Sequence, residues 1–162
     1  MKSLLGIGEC MIELSSAGEQ LLKQGFAGDV FNTLWYARAL MNEDSKAAFF
    51  SAVGDDENSK ELLSFVESAG ISCAHIPRIK GGVPGLYKIH LNGAERSFSY
   101  WRDSSAARQM MQDPQQLWNA VAQADVLGIF GREGVDLATM WDPPNATEPT
   151  AYAFRMYRNY DQ

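Results

Sequence analysis

The chain has 162 residues, a hydrophobic content of 46% and a formal net charge of -6, which suits one ordinary globular domain. The acidic balance argues against nucleic acid or an anionic membrane surface as a partner, and the apolar runs are far too short for a membrane span. The N-terminus carries no secretory cleavage pattern, so a cytoplasmic chain is expected; the two cysteines, Cys10 and Cys73, match no metal-ligand spacing and read as buried reduced thiols.

Punctuation is regular up to about residue 130. Lys2 to Ile7 reads as a first strand, and Glu9 to Ser15 alternates loosely enough to be a strand or a bend. A polar segment follows. Val30 to Met41 then reads as a helix, with Phe31, Leu34, Trp35 and Ala39 at helical spacing. Ala47 to Val53 is a short apolar run ending in Gly54, as expected of a buried parallel strand. Asp56 to Ala69 reads as a second helix, capped at its start by Asp55 or Asp56 and stopped by Gly70. Ile71 to Ile76 is a third short strand. Strand and helix thus alternate, which predicts an α/β layered fold.

The alternation then breaks. Gly85 to Leu91 and Glu95 to Trp101 are strand-like runs joined by Asn92-Gly93, a strong hairpin signal. Such an insert serves as a lid or an interface, or only extends the sheet. Pro114 to Ala124 reads as a helix and Asp125 onward as a strand. From Gly131 to Gln162 the core formers are sparse, Pro143, Pro144 and Pro149 punctuate the chain, and no period survives. A first unit over 1–130, with the hairpin at about 84–102, and a disordered or out-of-frame tail over 131–162 are expected.

The entrance to the first helix holds the densest chemistry. Gly25 and Gly28 let backbone approach closely, the helix start offers N–H groups, and Asp29 and Asn32 can pair with neighbouring hydroxyls. Asp29 as a mere N-cap is the competing reading. Glu9 and Glu13 lie four apart with no base or metal partner in view and read as structural. His75 and His90 are isolated and read as non-catalytic.

The motifs Gly8-Glu9-Cys10-Met11-Ile12-Glu13, Gly28-Asp29 with Asn32, Gly54-Asp55-Asp56, Pro84-Gly85-Leu86-Tyr87 and Glu95 through Arg102, in that order, resemble the ribokinase-like (PfkB) sugar kinases over about residues 4–127. Gly-Glu-Cys-Met-Ile-Glu and Ser-Tyr-Trp-Arg are similar to the subgroup that acts on 2-dehydro-3-deoxygluconate. The resemblance implies a ribokinase-like layered sheet with helices, a small β-lid that commonly pairs with a second subunit, and an incomplete C-terminal half, since family members are much longer. It implies substrate contacts at Gly28, Asp29, Val30, Phe31 and Asn32, at Tyr87 in the lid, and at Tyr100, Trp101 and Arg102, where Tyr100 and Arg102 address a substrate carboxylate. The planar fork of Arg102 suits that task.

The function so implied is ATP-dependent phosphorylation of 2-dehydro-3-deoxy-D-gluconate to its 6-phosphate, with a small sugar acid as partner. The alternatives are a kinase of a neutral sugar such as fructose, and a non-catalytic fragment. ATP and Mg²⁺ are expected for a full-length member. The family's Asp-Thr-x-Gly-Ala-Gly-Asp segment is absent, so no catalytic residue, metal ligand or ATP-binding residue is identified, and the chain alone is expected to be inactive.

Overall fold

Hydrophobic punctuation of the first half builds a parallel sheet. The computed structural model describes residues 3–129 apart from 19, 94 and 125, so the expected tail lies outside the described residues. Strands β1 (Ser3–Ile7), β4 (Lys46–Phe50), β5 (Ile71–Ser72) and β8 (Val126–Ile129) form this sheet in the order β5-β4-β1-β8. All three of its strand pairings are parallel. Helices α1 (Asp29–Leu40) and α2 (Glu57–Ser68) lie against one face, and α3 (Pro114–Val121) lies against the other.

The sheet is covered on both sides because β1 and β4 present apolar residues to both. Phe49 joins Val30, Phe31, Leu34, Leu62 and Val66 in one cluster. Leu5, Ile7, Phe50 and Ala120 form the other. Aromatic rings lock the first cluster: Phe31 meets Phe49 edge-on at 5.8 Å, and Trp35 stacks on Phe65 at 5.0 Å. Such pairs add to area burial.

A second four-stranded sheet stands beside the first. It holds β2 (Met11–Ser16), β3 (Leu22–Ala27), β6 (Leu86–Asn92) and β7 (Glu95–Trp101), in the order β3-β2-β6-β7. Two antiparallel pairs, β2–β3 and β6–β7, are joined by the parallel β2–β6 contact. The expected hairpin is therefore half of a sheet. The other half includes β3, which falls in the stretch read as a polar segment. Gly18 and Gln20, both at positive φ, turn the chain between β2 and β3. Phe26 of β3 reaches Phe65 of α2 at 5.4 Å and ties the second sheet to the helical layer.

Several boundaries shift. Glu9 to Ser15, left open between strand and bend, is strand from Met11. The strand expected to reach Val53 stops at Phe50, and Val53 instead bridges Arg78. The strand expected to reach Ile76 stops at Ser72, because the Cys73 carbonyl turns to accept the Ile76 N–H at 3.1 Å. The hairpin begins at Leu86, and Asn92 pairs with Glu95 as a strand residue, so the turn starts at Gly93. The last helix ends at Val121.

Asp56, not Asp55, caps α2: its carboxylate accepts the Ser59 N–H at 3.1 Å. Gly70 follows the C-cap Ala69 with φ 71°. Partial burial pushes the Asp56 carboxyl up, but hydrogen bonds from Ser59 and Asn58 outweigh it and hold the group below its ordinary 3.8. A depressed carboxyl stabilises the fold above its unfolded value and loses that contribution as pH falls through the folded value. Asp56→Ala is expected to cost about 1 kcal/mol at pH 7. The gap in urea midpoint between parent and variant should shrink at pH 3. An unchanged gap at pH 3 would show that Asp56 acts through something other than its charge.

Candidate functional site

Parallel sheets bind ligands outside the carboxyl ends of their strands. The chain leaves the carboxyl end of β1 through Gly8, Glu9 and Cys10 and enters β2. It leaves β3 through Gly28 into α1, enters β6 through Pro84 and Gly85, and leaves β7 through Arg102. All four crossings between the two sheets meet at Glu9. A Cβ on Gly28 would stand 2.2 Å from the Glu9 carbonyl oxygen, and one on Gly85 would stand 2.5 Å from Glu9 Oε1 and 3.2 Å from Arg102 Cβ. At Gly28 the obstacle is backbone and cannot rotate away, and at Gly85 it is the end of the Glu9 side chain, which would have to leave its place. The motifs that were separate in sequence are therefore neighbours in space.

Arg102 pairs with Glu9, Nη2 to Oε2, at 2.5 Å, with the two side chains 16% and 5% exposed. Glu9 read as a structural residue without a partner. The structure gives it one, at the most distant of the recognised motifs. Two desolvated charges hold each other in a defined geometry, so the guanidinium plane is set before any ligand arrives.

The helix entrance differs from the expectation in one respect. Gly28 occupies the N-cap position without a side-chain cap, and Asp29 is the first residue inside α1. Asp29 is therefore not an N-cap. As the acidic residue of the first turn it complements the positive end of the helix dipole. Asp29 and Asn32 are both exposed, three residues apart on one helix face. Val30 and Phe31 are core residues, 4% and 1% exposed. Val30 packs directly over Gly8, and Phe31 sits among Trp35, Phe49 and Phe65. Their side chains are not available to a ligand. Only their backbone amides, in the first turn of α1, remain as contacts.

On the second sheet the β6–β7 register puts Tyr87 opposite Tyr100 and Ile89 opposite Phe98, so these four share one face. Glu13 of β2 pairs with Tyr87 and joins that face. The Tyr87 hydroxyl donates to Glu13 Oε2, and the Tyr87, Phe98 and Tyr100 rings contact one another at 5.9 to 6.1 Å. Burial, then the Glu13 carboxylate, push the Tyr87 phenol well above its ordinary value, so it stays protonated. Tyr100 is 54% exposed. Trp101 pairs with Leu86 on the opposite face and is exposed there. It is separated from Tyr87 and Tyr100 by the strand itself. Of the residues the sequence grouped, Tyr87 and Tyr100 are brought together, Asp29 and Asn32 share a face, and Arg102 is anchored by Glu9. Glu13, read as structural, offers a signal in the sequence only through its place in the Gly8–Glu13 motif; its pairing with Tyr87 comes from the register of β2 and β6.

Burial also raises both thiols: Cys10 lies well above the usual range, with Glu9 adding to the effect, and Cys73 is pushed up to about 12. Neither forms a thiolate near neutrality. Among the described residues, no group of three or more His, Cys, Asp or Glu side chains is placed to hold a metal, and no helix is long and apolar enough to cross a membrane.

Residues 1–146 match the family described as pfkB family carbohydrate kinase. The chain is 34% identical over 142 residues to 2-dehydro-3-deoxygluconokinase from Haemophilus influenzae, covering 86% of this chain and 45% of that protein. It is 35% identical over 134 residues to the protein of the same name from Dickeya dadantii, covering 80% and 43%. A solved PfkB family carbohydrate kinase from Listeria grayi superposes with a TM-score of 0.69 at 18% identity, covering 79% of this chain and 41% of that one. The chain thus spans under half the length of the relatives it matches.

Proposed function

Because the chain belongs to the pfkB family of carbohydrate kinases, we propose that it supplies the sugar-holding part of an ATP-dependent kinase of 2-dehydro-3-deoxygluconate. The relatives of that name, at about a third identity, favour the sugar acid over a neutral sugar. The single observation that carries the reading is Arg102, a largely buried cation fixed by Glu9 at the crossing between the sheets.

In this reading Asp29 and Asn32 exchange hydrogen bonds with substrate hydroxyls beside the start of α1. Tyr87 and Tyr100 line the facing sheet, and the Arg102 fork takes the carboxylate. Phosphoryl transfer is mostly a matter of positioning and charge stabilisation, and these residues serve the positioning. ATP would supply the phosphoryl group and Mg²⁺ would offset its charge. In this reading the residues named here serve the acceptor side of the reaction. A homo-oligomer formed through the second sheet fits the same family reading.

The test compares two ligands. Arg102→Gln is made together with Glu9→Gln, so that no carboxylate is stranded beside the lost cation. Affinity for 2-dehydro-3-deoxygluconate, measured by calorimetry, is expected to fall by about 1.5–3 kcal/mol, the range for a charge-assisted hydrogen-bonded contact. Any affinity for fructose should hardly change. Equal losses for both sugars would remove the carboxylate role and favour the neutral-sugar kinase.

A further inference from the structure

The Glu13–Tyr87 hydrogen bond fixes the polarity of the tyrosine hydroxyl, a point that the phosphorylation reading leaves open. A phenol has one proton to donate and lone pairs that accept. In this structure the proton goes to Glu13 Oε2. The arrangement is built rather than incidental. Glu13 and Tyr87 are register partners on adjacent strands of the second sheet. Tyr87 is 9% exposed, and its ring packs against Tyr100 at 5.9 Å and Phe98 at 6.1 Å. With its proton committed, Tyr87 can meet a ligand only as an acceptor.

We propose that Glu13 is a positioning residue that makes Tyr87 select a hydroxyl, and not a keto or carboxylate oxygen, at its point of contact with the sugar. The proposal rests on the reading of Tyr87 as a sugar contact. Two effects act in the same direction. A ligand carbonyl facing Tyr87 would set acceptor against acceptor, which leaves a desolvated oxygen unsatisfied. The negative charge of Glu13 also disfavours a carboxylate on this side of the site, whereas at the crossing between the sheets the Arg102 cation offsets the charge of Glu9. A keto-deoxy acid would thus be held in one direction, acid end toward Arg102 and hydroxyl-bearing end toward Tyr87.

The test uses the chain with Glu13→Ala, Glu13→Gln, Tyr87→Phe and the Glu13→Ala/Tyr87→Phe double variant. Binding of 2-dehydro-3-deoxygluconate is followed by calorimetry, and the Tyr87 hydroxyl by the ¹³Cζ resonance of labelled tyrosine. Glu13→Ala is expected to weaken binding about tenfold, the loss of one polar contact, and to move the Tyr87 resonance. Glu13→Gln keeps an oxygen that accepts the same proton but lacks the charge, so it should recover most of the affinity lost in Glu13→Ala, and an affinity as low as that of Glu13→Ala overturns the proposal. In the Tyr87→Phe background, Glu13→Ala should add nothing. A parent chain that binds the acid while Glu13→Ala binds it equally well overturns the proposal and leaves the functional reading intact, as does full additivity of the two single changes. A parent chain that binds no sugar acid overturns the functional reading, and the proposal falls with it.

Discussion

Alanine at Gly54 is expected to destabilise the chain by about 3 kcal/mol, near the upper end for overpacking. The added Cβ would lie 1.8 Å from the Gly82 carbonyl oxygen and 3.0 Å from the Val83 nitrogen. Both are backbone atoms, so no side chain can rotate away. Each loop is also held in place. The Gly54 N–H donates to the buried Ser59 hydroxyl at 2.9 Å, and the Gly81 N–H donates to Asp55 at 3.0 Å. The loop after β4 would have to part from the loop that delivers Pro84 and Gly85 into β6, so the damage should spread to the sugar side. Gly25→Ala is the control, because nothing lies within 4 Å of its added Cβ. Urea midpoints of the two variants decide the matter. If they shift alike, the loops after β4 and before β6 do not meet at Gly54.

Glu9→Ala is expected to be nearly as severe, on the order of 3 kcal/mol. The change removes a carboxylate from opposite an arginine whose side chain is 16% exposed. The contrast with Lys60 and Glu57 isolates the cause. That pair has the same 2.5 Å separation, but its side chains are 57% and 81% exposed. Water solvates both charges there, so Glu57→Ala should change stability by less than about 1 kcal/mol. Thermal midpoints in low and high salt separate the two cases, since exposed charges are screened and buried ones much less so. A Glu9→Ala loss as small as that of Glu57→Ala would mean that the pair at the crossing does not hold the sheets together.

Legibility in the sequence followed the range of the interactions. Phe31, Leu34 and Trp35 announced α1 because helical spacing is local, and Asn92-Gly93 announced a hairpin, off by one residue, because turn chemistry is local too. β3 went unread because Leu22, Lys23 and Gln24 are exposed at a sheet edge, which removes the apolar pattern a buried strand would show. β5 was read too long for a related reason, since an edge strand with one neighbour can end early. An aspartate at this position suggests a cap, although Gly28 takes that place. Glycine is itself tolerated at an N-cap, and proximity to the Glu9 carbonyl, invisible in sequence, decides the position. Val30 and Phe31 shared a motif with Asp29 and Asn32, but helical geometry turns them to the opposite side, into the core. Glu9 and Glu13 carry no readable role in sequence because their partners, Arg102 and Tyr87, lie far along the chain. The motifs were visible individually, and their convergence was not.

The interrupted order of the second sheet has a consequence for how the chain acquires its structure. β2 and β3 can pair as soon as they exist, and so can β6 and β7, since each pair is local. The contact that unites them, β2 with β6, must wait until residues 28–85 have been placed. Joining distant segments carries a loop-closure penalty that is met before the contact rewards it. Until then one side of β2 is an open edge, available to any other extended segment. Folding speed and yield should therefore depend on how quickly α1, β4 and α2 assemble. A defect in that helical layer would register first as mispairing in a sheet to which it contributes no strand.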